Sequence, residues 1–299
     1  MADAVPPLKA RHPLRGLLLF NFGLMLFACL DTTNKYLTSV FDVPLIAACR
    51  YIGNVLLMLA IVAPRNGQAM VRTRRTWLVW VRGLCLAVSS LFVLLSLQRM
   101  PVAETTAILF LAPIIVEIAA GPLLGEKIGW LGWTGALLGF FGVLLVVRPG
   151  GGLDPVGVVL ALCACMLVTG YNLLSRLLAT SESTMALLFY SAVAGTILFS
   201  ATLPWFWFEQ TPTLLQAGLL AVIGLFGGLG HFLFTAAFRD APASILSPLS
   251  YVQLLWVSLL GWLVFGHVPD AISLLGIAII GASGVLVALK SRRPAEEVA

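Results

Sequence analysis

The strongest constraint on this chain is a series of ten apolar stretches of roughly 20 residues, joined by short polar connections. The hydrocarbon core of a bilayer is about 30 Å thick and a helix rises about 1.5 Å per residue, so about 20 apolar residues cross it once. The stretches cover residues 14–34, 44–63, 77–98, 101–121, 130–148, 155–177, 183–203, 213–238, 242–265 and 270–290. The pattern predicts an all-α integral membrane protein with ten transmembrane helices, the first of them retained rather than cleaved as a signal.

The composition excludes a water-soluble fold. Hydrophobic residues make up 60% of the chain and charged residues 10%, and the mean hydropathy is +1.01. Because a soluble domain is about a quarter charged, the surplus apolar surface is expected to face lipid. The alternating pattern of a membrane β-barrel is absent, whereas helices satisfy their backbone hydrogen bonds within one segment.

The distribution of basic residues predicts the orientation. If the N-terminus is cytoplasmic, thirteen Lys and Arg residues fall on the inner side and three on the outer side. Cytoplasmic loops carry such an excess of positive charge. We therefore expect a bacterial-type cytoplasmic (inner) membrane protein with both termini in the cytoplasm. The net charge of +5 then serves topology and contact with anionic membrane lipid, and no nucleic-acid partner is expected.

The sequence offers no chemistry typical of an enzyme. The five cysteines lie in apolar stretches without metal-ligand spacing, and the three histidines are too few for a His-rich metal site. The HExxH and GxSxG motifs are absent. We expect no catalytic residues, no metal and no cofactor.

The two halves of the chain resemble each other. LQRMPVAETTAI around Arg99 aligns with AFRDAPASIL around Arg239, at an offset of 140 positions, and Gly135 aligns with Gly276, at 141. Because each half has five apolar stretches, the second copy is expected to be inverted in the membrane, a plan found in transporters with a central site between the repeats. The predicted division is an N-terminal tail and first repeat, then a second repeat and C-terminal tail. Its bounds are 1–13, 14–150, 151–290 and 291–299.

Three segments resemble the EamA family of the drug/metabolite transporter superfamily. PLIAACRYIGNVLLML (Pro44 to Leu59) has the family's proline followed by an Arg-aromatic pair. The stretch from Arg82 to Gly129 is similar to the family's third and fourth helices with their Leu-Gly-Glu-Lys turn, and Gly132 to Gly151 resembles its Gly-rich fifth helix. The second half departs from the pattern, with His267 in place of the usual glutamate and Leu254 opposite Pro113.

The resemblance implies ten helices in two five-helix repeats around a central cavity. It also implies transport of small organic solutes, and the subgroups that fit are amino-acid exporters, including an aromatic amino-acid exporter, and carriers of the S-adenosylmethionine type.

Charged residues within the apolar stretches are candidate gate or ion-pair residues, because charge is costly inside a bilayer. Arg82 and Glu117 share a predicted depth and are expected to pair. Asp31, Arg50 and Glu104 form a second predicted cluster toward the outer side. This cluster has two readings, which are a packing contact and an outer gate or contact to a zwitterionic solute.

Polar residues within the stretches are the candidates for the substrate cavity. His231 lies in a Gly-rich helix and has the potential to bind solute or carry a proton, although a bond to a neighbouring carbonyl accounts for it equally well. The others are Asn21, Ser89, Tyr171, Asn172, Tyr251, Gln253 and Trp256. A few such groups among apolar walls are typical of a small-molecule site.

The sequence thus predicts a secondary transporter of small organic solutes, foremost amino acids or related metabolites, that works by alternating access in export or facilitated exchange. A carrier of S-adenosylmethionine or drug-like solutes, a membrane-embedded enzyme and a channel remain alternatives. Whether the protein is a monomer or a homodimer is left open.

Overall fold

The computed structural model describes residues 13–124, 130–147, 152–178, 181–206, 211–240, 246 and 249–290. Within these ranges the regular secondary structure is entirely helical. The helices are α1 (Pro13–Leu37), α2 (Val43–Ile61), α3 (Ala63–Val71), α4 (Thr76–Arg99), α5 (Val102–Leu109), α6 (Ala112–Leu124), α7 (Trp130–Val147), α8 (Pro155–Leu178), α9 (Thr184–Ser200), α10 (Leu214–Asp240), α11 (Val252–Phe265) and α12 (Ala271–Lys290).

Five of these helices are long and apolar enough to cross a membrane. They include Leu14–Leu37, Val43–Ile61, Thr76–Arg99, Pro155–Leu178 and Leu214–Phe234. Shorter apolar segments occupy the remaining predicted stretches, and each of the ten stretches overlaps at least one helix. The all-helical class and the apolar helices are therefore confirmed, while the number of crossings stays a prediction.

The fourth predicted stretch is broken into α5 and α6. The amide of Phe110 bonds to the carbonyls of Thr106 and Ala107, at 3.1 and 3.2 Å, and the amide of Leu111 bonds to the carbonyl of Ile108 at 3.1 Å. This tightened turn ends α5, and α6 begins at Ala112 with Pro113 in its first turn. Proline lacks an N–H and fits the first turn of a helix, so the break falls where the sequence tolerates it.

The sequence pattern does not predict the short polar helix α3, because nine residues with little apolar content give no hydropathy signal. It lies between α2 and α4 and is fastened to the start of α9. Glu182 accepts hydrogen bonds from the amides of Arg74 and Arg75, at 3.0 and 2.7 Å, and Ser183 donates to the carbonyl of Ala69 at 2.7 Å. We call this side of the bundle the α3 end, and the side with the turn between α11 and α12 the opposite end.

Helices from the two halves of the chain pack directly on each other. Helix α1 lies along α10, α4 along α8 and α9, α2 along α9 and α10, and α7 along α12. The apolar core follows these contacts in two main clusters, one around α5, α6, α7, α8, α11 and α12 and the other around α1, α2, α4, α9 and α10.

Helices α2 and α10 touch backbone to backbone. A Cβ atom placed on Gly224 would lie 2.8 Å from the Cα of Gly53 and 3.2 Å from the carbonyl oxygen of Arg50. Small residues permit such close approach between helices in a membrane. The spacing of α2 and α10 therefore depends on the absence of side chains at these two glycines.

Two further helix pairs meet at glycines. A Cβ atom on Gly83 of α4 would lie 3.1 Å from the Cβ of Ala194 and 3.2 Å from the Cα of Ser191, both on α9. A Cβ atom on Gly142 of α7 would lie 2.8 Å from the carbonyl oxygen of Gly276 on α12. These seams bring helices of the two halves into close contact at small residues.

Replacing Gly224 with alanine is expected to destabilise the protein, because the new methyl group would press on the backbone of α2. Overpacking of this kind costs about 1–3 kcal/mol, so the thermal midpoint of the detergent-solubilised protein should fall. Gly218→Ala is the matched control, since that residue lies on the same helix with nothing within 4 Å of its virtual Cβ. Equal midpoints for the two variants would contradict the close contact.

Candidate functional site

A cavity of about 190 Å³ lies between α2, α4, α9 and α10. Its polar lining consists of Tyr51, Asn54, Ser191 and His231. Its apolar lining is made of Leu57, Met58, Ile61, Val62, Leu86, Met185, Leu188, Ala192, Leu229, Phe232 and Ala236. Because α2 runs toward α3, the polar groups lie deep in the bundle and the apolar walls extend to the α3 end.

Arg82 is buried beside this cavity, and all three of its guanidinium nitrogens donate hydrogen bonds. Its Nε donates to Ser175 at 2.7 Å, and its two terminal nitrogens donate to the carbonyl of Leu187, the hydroxyl of Ser191 and the hydroxyl of Tyr171, at 2.7 to 2.9 Å. The guanidinium also lies 4.2 Å from the centroid of the Tyr171 ring. The expected partner, Glu117, has a side chain outside the described residues, so the predicted pair stays a prediction.

Arg50 has a different environment. Its guanidinium carbon lies 4.6 Å from the centroid of the Tyr51 ring, and its Nε is buried with no hydrogen-bond partner among the described residues. Asp31 lies near enough to interact electrostatically with Arg50, yet its carboxylate accepts a 3.4 Å hydrogen bond from Gln253 and forms no ion pair with Arg50. Arg50 and Asp31 thus influence each other electrostatically without an ion pair between them.

Several predicted cavity residues meet where α1 and α11 pack. The indole N–H of Trp256 donates to Asn21 at 3.1 Å, and Gln253 donates to Asp31. The ring of Tyr251 lies 5.1 Å from that of Phe110 on α5. These contacts join residues more than 100 positions apart, which a single sequence does not reveal.

The other predicted cavity residues have separate positions. His231 lines the cavity, and its ring centroid lies 4.8 Å from that of Phe27. Ser89 is buried and donates to the carbonyl of Leu86 at 2.8 Å, a bond within its own helix. Asn172 is half-buried on α8.

At the opposite end, Glu104 joins a residue that the sequence did not pair with it. The side chain of Glu104 is 3% exposed, and its Oε1 lies 2.9 Å from Nε2 of His267. The other oxygen, Oε2, has no hydrogen-bond partner among the described residues. His267 follows Gly266, whose φ of 66° lies in the left-handed region and ends α11. The sequence shows His267 where the resemblance implies a glutamate, but this departure alone does not indicate a contact with Glu104.

A second polar contact at this end is exposed to solvent. Arg99 donates to Asp154 at 2.9 Å, and this bond, with a further one from the amide of Val156, holds the pKa of the Asp154 carboxyl below its ordinary value.

As for metals, no group of three His, Cys, Asp or Glu side chains in the described ranges has the arrangement to hold an ion.

The contact between Glu104 and His267 is expected to stabilise the fold. In His267→Ala the buried carboxylate would lose its partner, which costs about 1–3 kcal/mol, so the thermal midpoint in detergent should fall. The double variant Glu104→Ala/His267→Ala should lose less than the sum of the single variants, because the pair is removed together. Additive losses would contradict a direct interaction.

Comparison with known proteins gives a consistent result. The model of the EamA-like transporter family matches residues 14–148 and again residues 155–289. The S-adenosylmethionine uptake transporter of Rickettsia bellii is 27% identical over 262 residues, which cover 87% of this chain and 89% of the relative. The riboflavin transporter of Vibrio cholerae is 26% identical over 292 residues, with 94% and 97% covered. The pseudopaline exporter CntI of Pseudomonas aeruginosa is 26% identical, with 75% and 78% covered.

A solved crystal structure has the same fold, with a TM-score of 0.68 at 20% identity, covering 95% of this chain and 100% of the other. The named relatives carry different small metabolites, so they support transport of a small solute without indicating an amino-acid exporter. Two family matches that together span nearly the whole chain give the identification: the protein belongs to the EamA-like transporter family.

Proposed function

We propose that this transporter moves amino acids or related metabolites across the cytoplasmic membrane by alternating access between two inverted five-helix repeats, in export or facilitated exchange. The observation that carries this proposal is the matched packing of the two halves around the cavity. The test is transport by the purified protein in lipid vesicles.

The contacts of α4 with α9 repeat those of α10 with α2. In each pair a glycine of one helix lies against two small or backbone positions of the other. The equivalent positions are 83 and 224, 50 and 191, and 53 and 194, and each pair of residue numbers differs by 141. This is the offset that the sequence repeat shows between Gly135 and Gly276.

One contact joins two residues that occupy equivalent positions in the two halves. Phe110 and Tyr251 differ by 141 in number, and their rings touch where α5 meets α11. A contact between equivalent residues is expected at a two-fold axis. With five crossings in each half, the axis would lie in the membrane plane. If the two repeats exchanged their conformations, the cavity would open to each side of the membrane in turn.

The charges at the two ends support the orientation. The α3 end carries Arg72, Arg74 and Arg75, whereas Lys35 and Arg99 lie at the opposite end. An excess of positive charge marks the cytoplasmic side. In this orientation the N-terminus is cytoplasmic and the apolar walls of the cavity lead toward the cytoplasm.

The lining of the cavity suits a small solute with a polar head and an apolar body. Most of its walls are aliphatic, and its polar groups are confined to the deep end. The known cargoes of the relatives are S-adenosylmethionine, riboflavin and pseudopaline. S-adenosylmethionine, itself an amino-acid derivative, is the second candidate solute.

Counterflow in proteoliposomes tests the proposal directly. Vesicles containing the purified protein and unlabelled solute should take up labelled amino acid transiently, with a rate that saturates. Linear, non-saturating flux would favour a channel instead, and product formation without translocation would favour a membrane enzyme. Empty vesicles provide the baseline.

Replacing His231 with alanine is expected to weaken solute binding, because this ring lines the deep end of the cavity. A lost hydrogen bond contributes about 0.5–1.5 kcal/mol, so the half-saturation concentration in counterflow should rise about 2- to 10-fold. Leu225→Ala, on an outward-facing position of the same helix, is the matched control. An unchanged half-saturation concentration in His231→Ala would remove this residue from the site.

A further inference from the structure

We propose that Arg50 and Asn54 bind the carboxylate-bearing head group of the solute, so that the cargo is an organic acid with an apolar body, most simply an α-amino acid. This inference rests on the proposed transport function and names the residues that select the cargo.

Arg50 and Asn54 present a donor and an acceptor that the protein leaves unpaired. They are four residues apart, and thus on one face of α2. The Nε of Arg50 and the Oδ1 of Asn54 are both buried and have no hydrogen-bond partner among the described residues. An unpaired buried polar group destabilises a fold, and a charged one does so strongly within a membrane. Two such groups one turn apart are suited to a ligand that supplies an acceptor to Arg50 and a donor to Asn54.

Arg50 differs from Arg82 in that it keeps a donor without a partner among the described residues. Arg82 makes four hydrogen bonds and lies over the Tyr171 ring, so its capacity is nearly exhausted. Arg50 contacts the Tyr51 ring and forms no ion pair within the described part of the chain. A guanidinium group fits a carboxylate with two parallel hydrogen bonds, so Arg50 is suited to an anionic group rather than to a neutral one.

Asn54 and Asp31 favour a second, donating group next to that carboxylate. The amide of Asn54 lies against Gly227 and Gly228 on α10, where a Cβ atom on Gly228 would be 3.3 Å from its Oδ1. The Asp31 carboxylate lies near Arg50 and is occupied by a long bond from Gln253. An ammonium or hydroxyl group beside the solute carboxylate would meet these oxygens, which an α-amino acid provides.

The apolar body of the solute would occupy the cavity that Asn54 lines, one helical turn beyond Arg50 on α2. Asn54 lines the cavity itself, and Leu57 and Met58 follow it along α2 toward the α3 end. Leu188 and Phe232 complete the apolar walls from α9 and α10. A head group held at Arg50 and Asn54 would therefore direct its side chain into an aliphatic and aromatic pocket.

Ligand-induced thermal stabilisation of the detergent-solubilised protein tests the anchor without transport. The probes are L-phenylalanine, 3-phenylpropionate and phenethylamine, which share the aromatic body. The first carries a carboxylate and an ammonium group, the second only the carboxylate and the third only the ammonium group. The two carboxylates should raise the thermal midpoint of the wild type, and phenethylamine should not. Equal stabilisation by phenethylamine, or no stabilisation by either carboxylate, would overturn the proposal.

Variants locate the effect. Arg50→Gln should weaken the apparent affinity for both carboxylates about 10- to 100-fold, since a hydrogen bond to a charged group is lost. Asn54→Ala, a smaller change next to two glycines, should weaken L-phenylalanine more than 3-phenylpropionate and serves if Arg50→Gln does not fold. Arg72→Gln, at an exposed arginine, is the matched control for charge. Wild-type affinity in folded Arg50→Gln, or in Asn54→Ala, would contradict the anchor.

Counterflow of the same probes separates this inference from the proposed function. Stabilisation that depends on Arg50, without counterflow of L-phenylalanine, would leave the anchor standing and reject amino-acid transport. Saturable counterflow of all three probes that is unchanged in Arg50→Gln would leave transport standing and reject the anchor.

Discussion

The structure depends on how it accommodates two arginines inside an apolar bundle. A guanidinium group remains charged at any pH a cell experiences, so it needs hydrogen-bond acceptors or a counter-charge wherever it is buried. Arg82 finds acceptors from α8 and α9, and these bonds tie α4 to both helices. Arg50 has an aromatic ring and a nearby carboxylate instead. Arg82 stabilises the bundle, and Arg50 is the arginine that we propose as the anchor for a ligand.

The position of Arg50 follows from the glycine seam beside it. Because Gly53 and Gly224 touch, α2 and α10 approach so closely that the Arg50 carbonyl would contact any side chain at Gly224. The same close approach places Asn54 against Gly227 and Gly228, and His231 one turn further along α10. A sequence of small residues on one helix thus sets the geometry of polar residues on another.

Much of the fold could be predicted from the sequence, because hydropathy is a local property. The ten apolar stretches all correspond to helices, and Pro113 lies where α5 gives way to α6. Helix α3 could not be predicted, since its nine residues are too polar and too few. From the sequence, the site could be predicted only as a set of polar residues. Tyr171 is one of them, but its bond to Arg82 depends on how α4 and α8 face each other. The contact of Glu104 with His267 likewise depends on the tertiary packing of two halves.

The kinds of contact between the halves fit a motion about the middle of the bundle. The central seams at Gly53 and Gly83 are close van der Waals contacts between small residues and backbone, and such contacts allow small rotations of packed helices. At Gly83 the bonds of Arg82 to Leu187 and Ser191 also keep α4 on α9. The contacts at the two ends are polar and partly exposed, such as Glu182 with the amides after α3 and Arg99 with Asp154. Water replaces such bonds at little net cost. Under alternating access, the ends would therefore separate in turn while the glycine seams keep the repeats together, and a head group at Arg50 would lie close to the pivot.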